Sequence, residues 1–169
     1  RSLIASVAAP LVAASAPPVV AQQPPAESVT QVIRQKPRSG MEQQYEAGRK
    51  KHMAWHKSQA DPWTWSVFEV MTGPDTGDYL VTTAGHQWAD FDSWLAKYGE
   101  GDTADSAAAM GSARASAQAS YWTQLTAISR LPPDGERTPL LTLTIYRVKP
   151  GHDAALLAAI GKLNKALEG

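Results

Sequence analysis

The sequence predicts an α+β protein whose antiparallel β-sheet carries helices on one face. Three observations support this prediction. Short runs alternate apolar and polar residues, and longer runs repeat apolar residues at helical spacing. These runs follow one another in the order β-α-β-β-α-β. A strand closed by Arg-x-Lys-Pro and followed by a helical stretch occurs twice, at 28–37 and at 141–150.

The first unit is a strand followed by a helix. Residues 29–36 alternate apolar and polar side chains, as a half-buried strand does. Residues 41–57 have the periodicity of an amphipathic helix, and its stripe carries Met41, Tyr45, Gly48, His52 and Trp55. Asp61-Pro62 ends this helix, because the residue before a proline disfavours the helical conformation.

A hairpin and a second helical region come next. Residues 63–71 and 79–84 are predicted strands, joined by a loop of glycine, proline and aspartate. Helical spacing then starts near Trp88, is interrupted at 99–102, and continues from Met110 to Ile128. The order of elements is that of a ferredoxin-like sheet.

The end of the chain admits two interpretations. Residues 140–148 are a predicted strand, and a helical stripe follows it. In one interpretation, 29–134 form a first ferredoxin-like repeat, closed by a short strand over 126–131, and 135–169 begin a second. In the other, 140–148 is the fourth strand of one domain and the last helix is an appendage.

The repeated segment favours duplication. The strand, the turn and the helix recur at one constant offset, on which Gly48 and Gly161 also lie. A lone β-α unit cannot cover its own apolar face. We therefore expect a second repeat that is incomplete here and a natural chain that continues past Gly169.

The first residues have the features of a secretory signal peptide. Arg1 precedes a short apolar run, and small residues stand before a predicted cleavage point after Ala21. Residues 22–28 then form a proline- and glutamine-containing tether. We expect the mature protein to begin at Gln22, to be periplasmic or secreted, and to keep no membrane segment.

The composition excludes several classes of function. The chain has 16 basic and 16 acidic residues and no cysteine. A balanced charge without a basic cluster argues against nucleic acid as a partner. The absence of cysteine excludes disulfides, thiolate catalysis and cysteine-ligated metals.

Several local motifs carry a resemblance to a known group of proteins. They are Lys36-Pro37-Arg38-Ser39-Gly40 before a helix, its echo Lys149-Pro150-Gly151, the tryptophan-rich hairpin, and Gly-His-x-Trp-x-Asp-Phe-Asp at 85–92. The chain thus resembles the dimeric α/β-barrel superfamily, which includes NIPSNAP-like, antibiotic-biosynthesis-monooxygenase-like and EthD-like proteins. The resemblance implies two ferredoxin-like sheets packed into a barrel, as a homodimer or an intramolecular pseudo-dimer. It implies no particular reaction, because this superfamily mixes oxygenases, isomerases and haem enzymes.

A candidate pocket is predicted around the hairpin. Strand alternation places Glu69 on one face with Trp63 and Trp65, where a poorly hydrated carboxylate could act as a base, with Arg34 or His86 as a polar partner. On an outward-facing edge, the same carboxylate would be an ordinary solvated charge. His86 stands between a strand and a helix, where it could move protons or simply cap the helix.

His52 and His56 have the i, i+4 spacing of metal-binding helices. Met53 stands where a zinc protease needs its glutamate, and His86, a candidate for the third nitrogen ligand, is distant in the sequence. The sequence therefore predicts no metal, and no cofactor motif occurs.

The predicted role is that of an exported barrel protein that binds a small apolar ligand or serves a structural purpose. Six tryptophans supply apolar surface for either. The alternative is a cofactor-free, monooxygenase-like or related enzyme that acts on an aromatic substrate. The sequence leaves open whether the protein is an enzyme.

Overall fold

The computed structural model describes residues 28–125, 128–129 and 140–167. Within them the elements are β1 (Val29–Pro37), α1 (Glu42–Ser58), β2 (Ser66–Glu69), β3 (Tyr79–His86), α2 (Trp88–Met110), β4 (Arg114–Thr123) and α3 (Asp153–Ala166). The four strands form one antiparallel sheet in the order β2-β3-β1-β4. This confirms the predicted α+β, ferredoxin-like class.

The sheet is centred on β1, which pairs with β3 on one side and β4 on the other. Side chains from the sheet and from both α1 and α2 line one cavity, so these two helices lie on the same face. Tyr45 of α1 is fully buried there. Its hydroxyl donates to Oε1 of Gln35 at 2.6 Å, and its ring packs 5.0 Å from that of Tyr79. Met110 and Ala113 complete this core.

The prediction of helix beyond Met110 is wrong. Arg114–Thr123 is β4, and it pairs with β1 along the whole strand. The apolar side chains in question recur every fourth residue, as at Ala113, Ala117 and Tyr121. That spacing also fits one face of a strand, whose side chains alternate with a period of two. Pairing with β1 decides between the two, because strand formation depends on neighbours more than on local propensity.

The predicted interruption at 99–102 is also wrong, because α2 runs through it without a break. Gly101 instead makes room for a side chain of α1. A Cβ at this position would lie 2.9 Å from Cζ2 of Trp55. The glycine therefore permits close helix packing.

The fourth strand of this sheet is β4. Residues 126–131, predicted as a short closing strand, lie mostly outside the described residues. The segment 140–149 pairs with no strand in the part of the chain that the structure describes. The predicted final helix is confirmed as α3. The division into repeats stays a prediction.

None of the helices in the described ranges is long and apolar enough to cross a bilayer.

Helices α1 and α2 are in close contact at Gly48. A Cβ there would clash with the backbone oxygen of Ala109 and would lie 2.9 Å from Cγ of Met110. A backbone atom cannot move aside as a flexible side chain can. We therefore expect Gly48→Ala to lower the free energy of unfolding by about 1–3 kcal/mol, measured in urea melts.

The matched control is Gly161→Ala in α3, where a Cβ would meet nothing within 4 Å. Alanine is the better helix former, so this variant should be unchanged or more stable by up to about 1 kcal/mol. Equal effects of the two substitutions would contradict the close helix approach.

Candidate metal centre

Three side chains from two helices converge between α1 and α2. His52 and His56 lie one turn apart on α1, and Asp102 faces them from α2. Nε2 of His52 and Nε2 of His56 lie 3.2 Å from each other, and they lie 3.3 and 3.2 Å from Oδ1 of Asp102. The three atoms form a nearly equilateral triangle. Among the residues that the structure describes, these three form the group of side chains that could hold a metal ion.

The size of the triangle suits a transition-metal ion. Imidazole nitrogens and carboxylate oxygens bind zinc at about 2.0–2.2 Å. Ligand atoms are then about 3.4 Å apart around a tetrahedral ion and about 3.0 Å apart at adjacent octahedral positions. The observed separations lie between these two values.

A second carboxylate orients each imidazole. Nδ1 of His52 lies 2.8 Å from Oδ2 of Asp105, and Nδ1 of His56 lies 2.8 Å from Oδ2 of Asp61. An Nδ1–H that donates to a carboxylate leaves a neutral ring with its lone pair on Nε2. Metal-binding histidines are oriented in this way, and the outer carboxylate also strengthens the ligand.

The same groups can hold a proton instead of a metal ion. Burial alone would lower the pKa of His52, but hydrogen bonds with Asp102 and Asp105 outweigh it and raise the pKa. Burial likewise opposes ionisation of Asp102, yet hydrogen bonds from the two histidines bring its pKa down to about 2. The centre is therefore built around negative charge that a cation must balance.

Asp61 fixes the position of His56. Its side chain is 1% exposed and accepts from Nε1 of Trp65 at 3.0 Å, Nε1 of Trp94 at 2.9 Å and the backbone N–H of Trp63 at 3.0 Å. Burial would raise the pKa of Asp61, but these bonds and the one from His56 hold it below its usual value. The ionised carboxylate thus finds four donors inside the protein.

The candidate metal ligands face a cavity of about 220 Å³ between the sheet and the two helices. The apolar walls come from the sheet and from helix methionines: Ile33, Val67, Val81, Ala117, Met53 and Met110. Arg49 and Arg114 also line it. An ion bound by three protein atoms would keep open positions beside a space large enough for a small molecule.

The structure brings together three of the five residues predicted for the pocket. The rings of Trp63 and His86 stack at 4.0 Å, and the Trp63 and Trp65 rings lie 6.0 Å apart. Only Trp65 of these reaches the cavity. Glu69 is exposed on the edge strand β2, and the guanidinium of Arg34 pairs with Asp75 at 2.8 Å. The idea of a buried Glu69 base is wrong for this chain, because the carboxylate remains in solvent.

His86 does not cap α2. The N-cap is Gln87, whose backbone N–H donates to Oδ2 of Asp90 at 2.7 Å in a capping box. The His86 ring is buried, and its Nε2 lies 2.6 Å from Oγ1 of Thr83. Its role in the described structure is to pack against Trp63.

The third ligand and the outer carboxylates do not stand out in the sequence. Asp102 lies in the segment that predicts a helix interruption, which hides its position one turn before Asp105 on a continuous helix face. The usable signal was the pairing of two histidines at i, i+4 with two aspartates at i, i+3 on the next helix.

No family model matches the chain, and no curated protein is similar to it in sequence. Similar solved structures do exist. One, assigned as an antibiotic biosynthesis monooxygenase from Bordetella bronchiseptica, has 12% identity and a TM-score of 0.47, covering 59% of this chain and 98% of that one. A protein with the same assignment from Caulobacter crescentus has 16% identity and a TM-score of 0.46, covering 59% and 92%.

SnoaB, a cofactor-independent oxygenase from Streptomyces nogalater, has 17% identity in a mutant form, with a TM-score of 0.45 and coverage of 63% and 99%. Two of these structures carry the antibiotic-biosynthesis-monooxygenase description that the sequence resemblance also names. The similarity concerns the fold alone.

His86 should make stability depend on pH. Burial lowers its pKa, because the charged ring would lose hydration. The stability that its neutral form contributes is present above the unfolded pKa of about 6.5 and is lost as the pH falls through the lower folded value. We expect wild type to lose more stability between pH 7 and pH 5 than His86→Gln, measured in urea melts.

His152→Gln serves as the control, because His152 is exposed. It should follow wild type at both pH values. Parallel pH dependence of wild type and His86→Gln would contradict the burial effect.

Proposed function

We propose that this protein is an exported metal-dependent enzyme. His52, His56 and Asp102 would hold one divalent transition-metal ion, and a small organic molecule would react in the adjoining cavity. The observation that carries the proposal is the triangle of donor atoms whose two imidazoles are each oriented by an outer carboxylate. If these histidines and aspartates formed only a structural network of ion pairs, both Nε2 atoms would not need to be directed at one point.

The number of ligands supports a catalytic centre over a structural one. Structural zinc sites are closed by four protein ligands, whereas catalytic sites keep a position for water or substrate. Here three donors meet beside a cavity. Water or dioxygen at an open position would be polarised next to a molecule held in the cavity.

The two imidazoles and the carboxylate restrict which metal ions could bind at this centre. Imidazole suits zinc, iron, copper and nickel, and two histidines with one carboxylate are typical of non-haem iron(II) oxygenases. Calcium and magnesium prefer oxygen ligands. We therefore place the reaction among metal-assisted oxygenations or hydrolyses. The cofactor-free oxygenase predicted from the sequence differs in needing no metal.

We further propose that the mature chain associates with a second barrel half, as a homodimer or through a further repeat. Large apolar side chains remain exposed near the C-terminus, among them Leu140, Ile145, Leu163 and Leu167. Exposed apolar surface of this kind favours association.

Metal titration tests the centre. By isothermal calorimetry, we expect the protein to bind one equivalent of Zn²⁺ or Co²⁺. Asp102→Asn should bind at least about tenfold more weakly because a charged ligand is lost, and Asp105→Asn should lose about 10–100-fold, as outer-shell substitutions do.

The controls are Asp92→Asn and His152→Gln, which change exposed residues of the same types. Both should bind metal like wild type, and circular dichroism should show that every variant folds. A wild type without stoichiometric binding, or an Asp102→Asn variant with unchanged affinity, would refute the proposal.

A further inference from the structure

One arginine of the cavity lining, Arg49, holds a buried N–H donor. Nε of Arg49 is buried and has no hydrogen-bond partner among the described residues. The guanidinium lies over the Tyr79 ring, 5.4 Å from its centroid, which accounts for its packing but not for this N–H. A buried polar group without a partner is costly, and native proteins rarely leave one unexplained. A ligand acceptor in the cavity would satisfy it.

A second guanidinium lines the same cavity. Arg114 donates from Nη1 to Oγ of Ser106 at 2.9 Å, and a guanidinium carries five N–H donors in all. Asp102 is the carboxylate of the cavity lining, and the two histidines share it. Asp105 and Asp61 lie behind the two histidines, so negative charge is concentrated at the metal ligands, whereas Arg49 and Arg114 supply the positive charge of the lining. An anion is therefore favoured at the two guanidinium groups.

The distance between Arg49 and the metal ligands indicates how long an anion must be to reach both. Arg49, His52 and His56 lie on one stripe of α1. At about 1.5 Å of rise per residue, Arg49 lies about 7.5 Å along the helix from the midpoint of the two histidines. A molecule of one ring with a single acidic group can span this distance.

The volume and the walls agree with such a molecule. A cavity of about 150 Å³ lined by apolar side chains binds benzene. The present cavity of about 220 Å³ has apolar walls and admits one ring with a carboxylate. Arginine binds carboxylates with its planar fork, which explains a choice of arginine over lysine.

We propose that the ligand of this cavity is a small carboxylic acid with an apolar body. Its carboxylate binds Arg49 and Arg114, and its body extends along the apolar walls toward His52, His56 and Asp102. That this acid reacts at the metal centre rests on the proposed function. That it binds in the cavity does not.

Benzoate and its neutral analogue benzamide test the proposal. We expect calorimetry to show benzoate binding at least tenfold more tightly than benzamide, with or without added Zn²⁺. Arg49→Gln should lose at least tenfold in benzoate affinity and keep its benzamide affinity, which also reports an intact cavity. Arg38→Gln is the control, because it removes an exposed arginine outside the cavity.

Equal affinity for both probes, or a loss of benzoate affinity in Arg38→Gln as large as in Arg49→Gln, would overturn the proposal. Inorganic phosphate that binds through Arg49 where benzoate does not would also overturn it, because the apolar body would then play no part. Zinc titrations of Arg49→Gln keep the two proposals apart. Unchanged zinc affinity is expected, and benzoate binding without any metal binding would refute only the proposed function.

Discussion

One carboxylate, that of Asp61, determines how the centre is held together. It accepts from the end of α1, from the two tryptophans before β2 and from Trp94 of α2, so it joins three parts of the chain at one point. Helix α1 ends in a Schellman turn, in which the Asp61 N–H donates to the carbonyl of His56 and Ala60 adopts a φ of 51°. This turn brings the Asp61 carboxylate within hydrogen-bond distance of Nδ1 of His56. Without that carboxylate, the imidazole would lose its orientation.

The features of the fold that depend on local periodicity could be predicted from the sequence. Helix α1, the hairpin and α3 follow from apolar spacing and turn residues within each segment. Strand β4 could not be found in this way, because its alanine- and serine-rich sequence has a four-residue spacing that fits a helix as well as a strand. Its conformation is decided by β1, whose paired residues lie 77 to 94 positions earlier in the chain, from the Pro37–Arg114 pair to the Val29–Thr123 pair.

The metal centre could not be predicted from the sequence, for the same reason. The spacing of His52 and His56 is visible in the sequence, but Asp102 becomes their neighbour only because α2 is continuous and packs against α1 at Gly101. The rings of Trp63, Trp65 and His86 lie together because aromatic side chains around a hairpin share its core. Glu69 shares their predicted face but lies at the sheet edge, a distinction that alternation alone cannot make.

Extended X-ray absorption fine structure of the protein loaded with one equivalent of Zn²⁺ tests the central claim most directly. The account predicts two imidazole nitrogens and one carboxylate oxygen at about 2.0–2.2 Å, with the remaining ligands supplied by water. Asp102→Asn should change the oxygen shell while both imidazoles remain. A shell of oxygen ligands without imidazole scattering would contradict the account, because the ion would then lie outside the triangle of His52, His56 and Asp102.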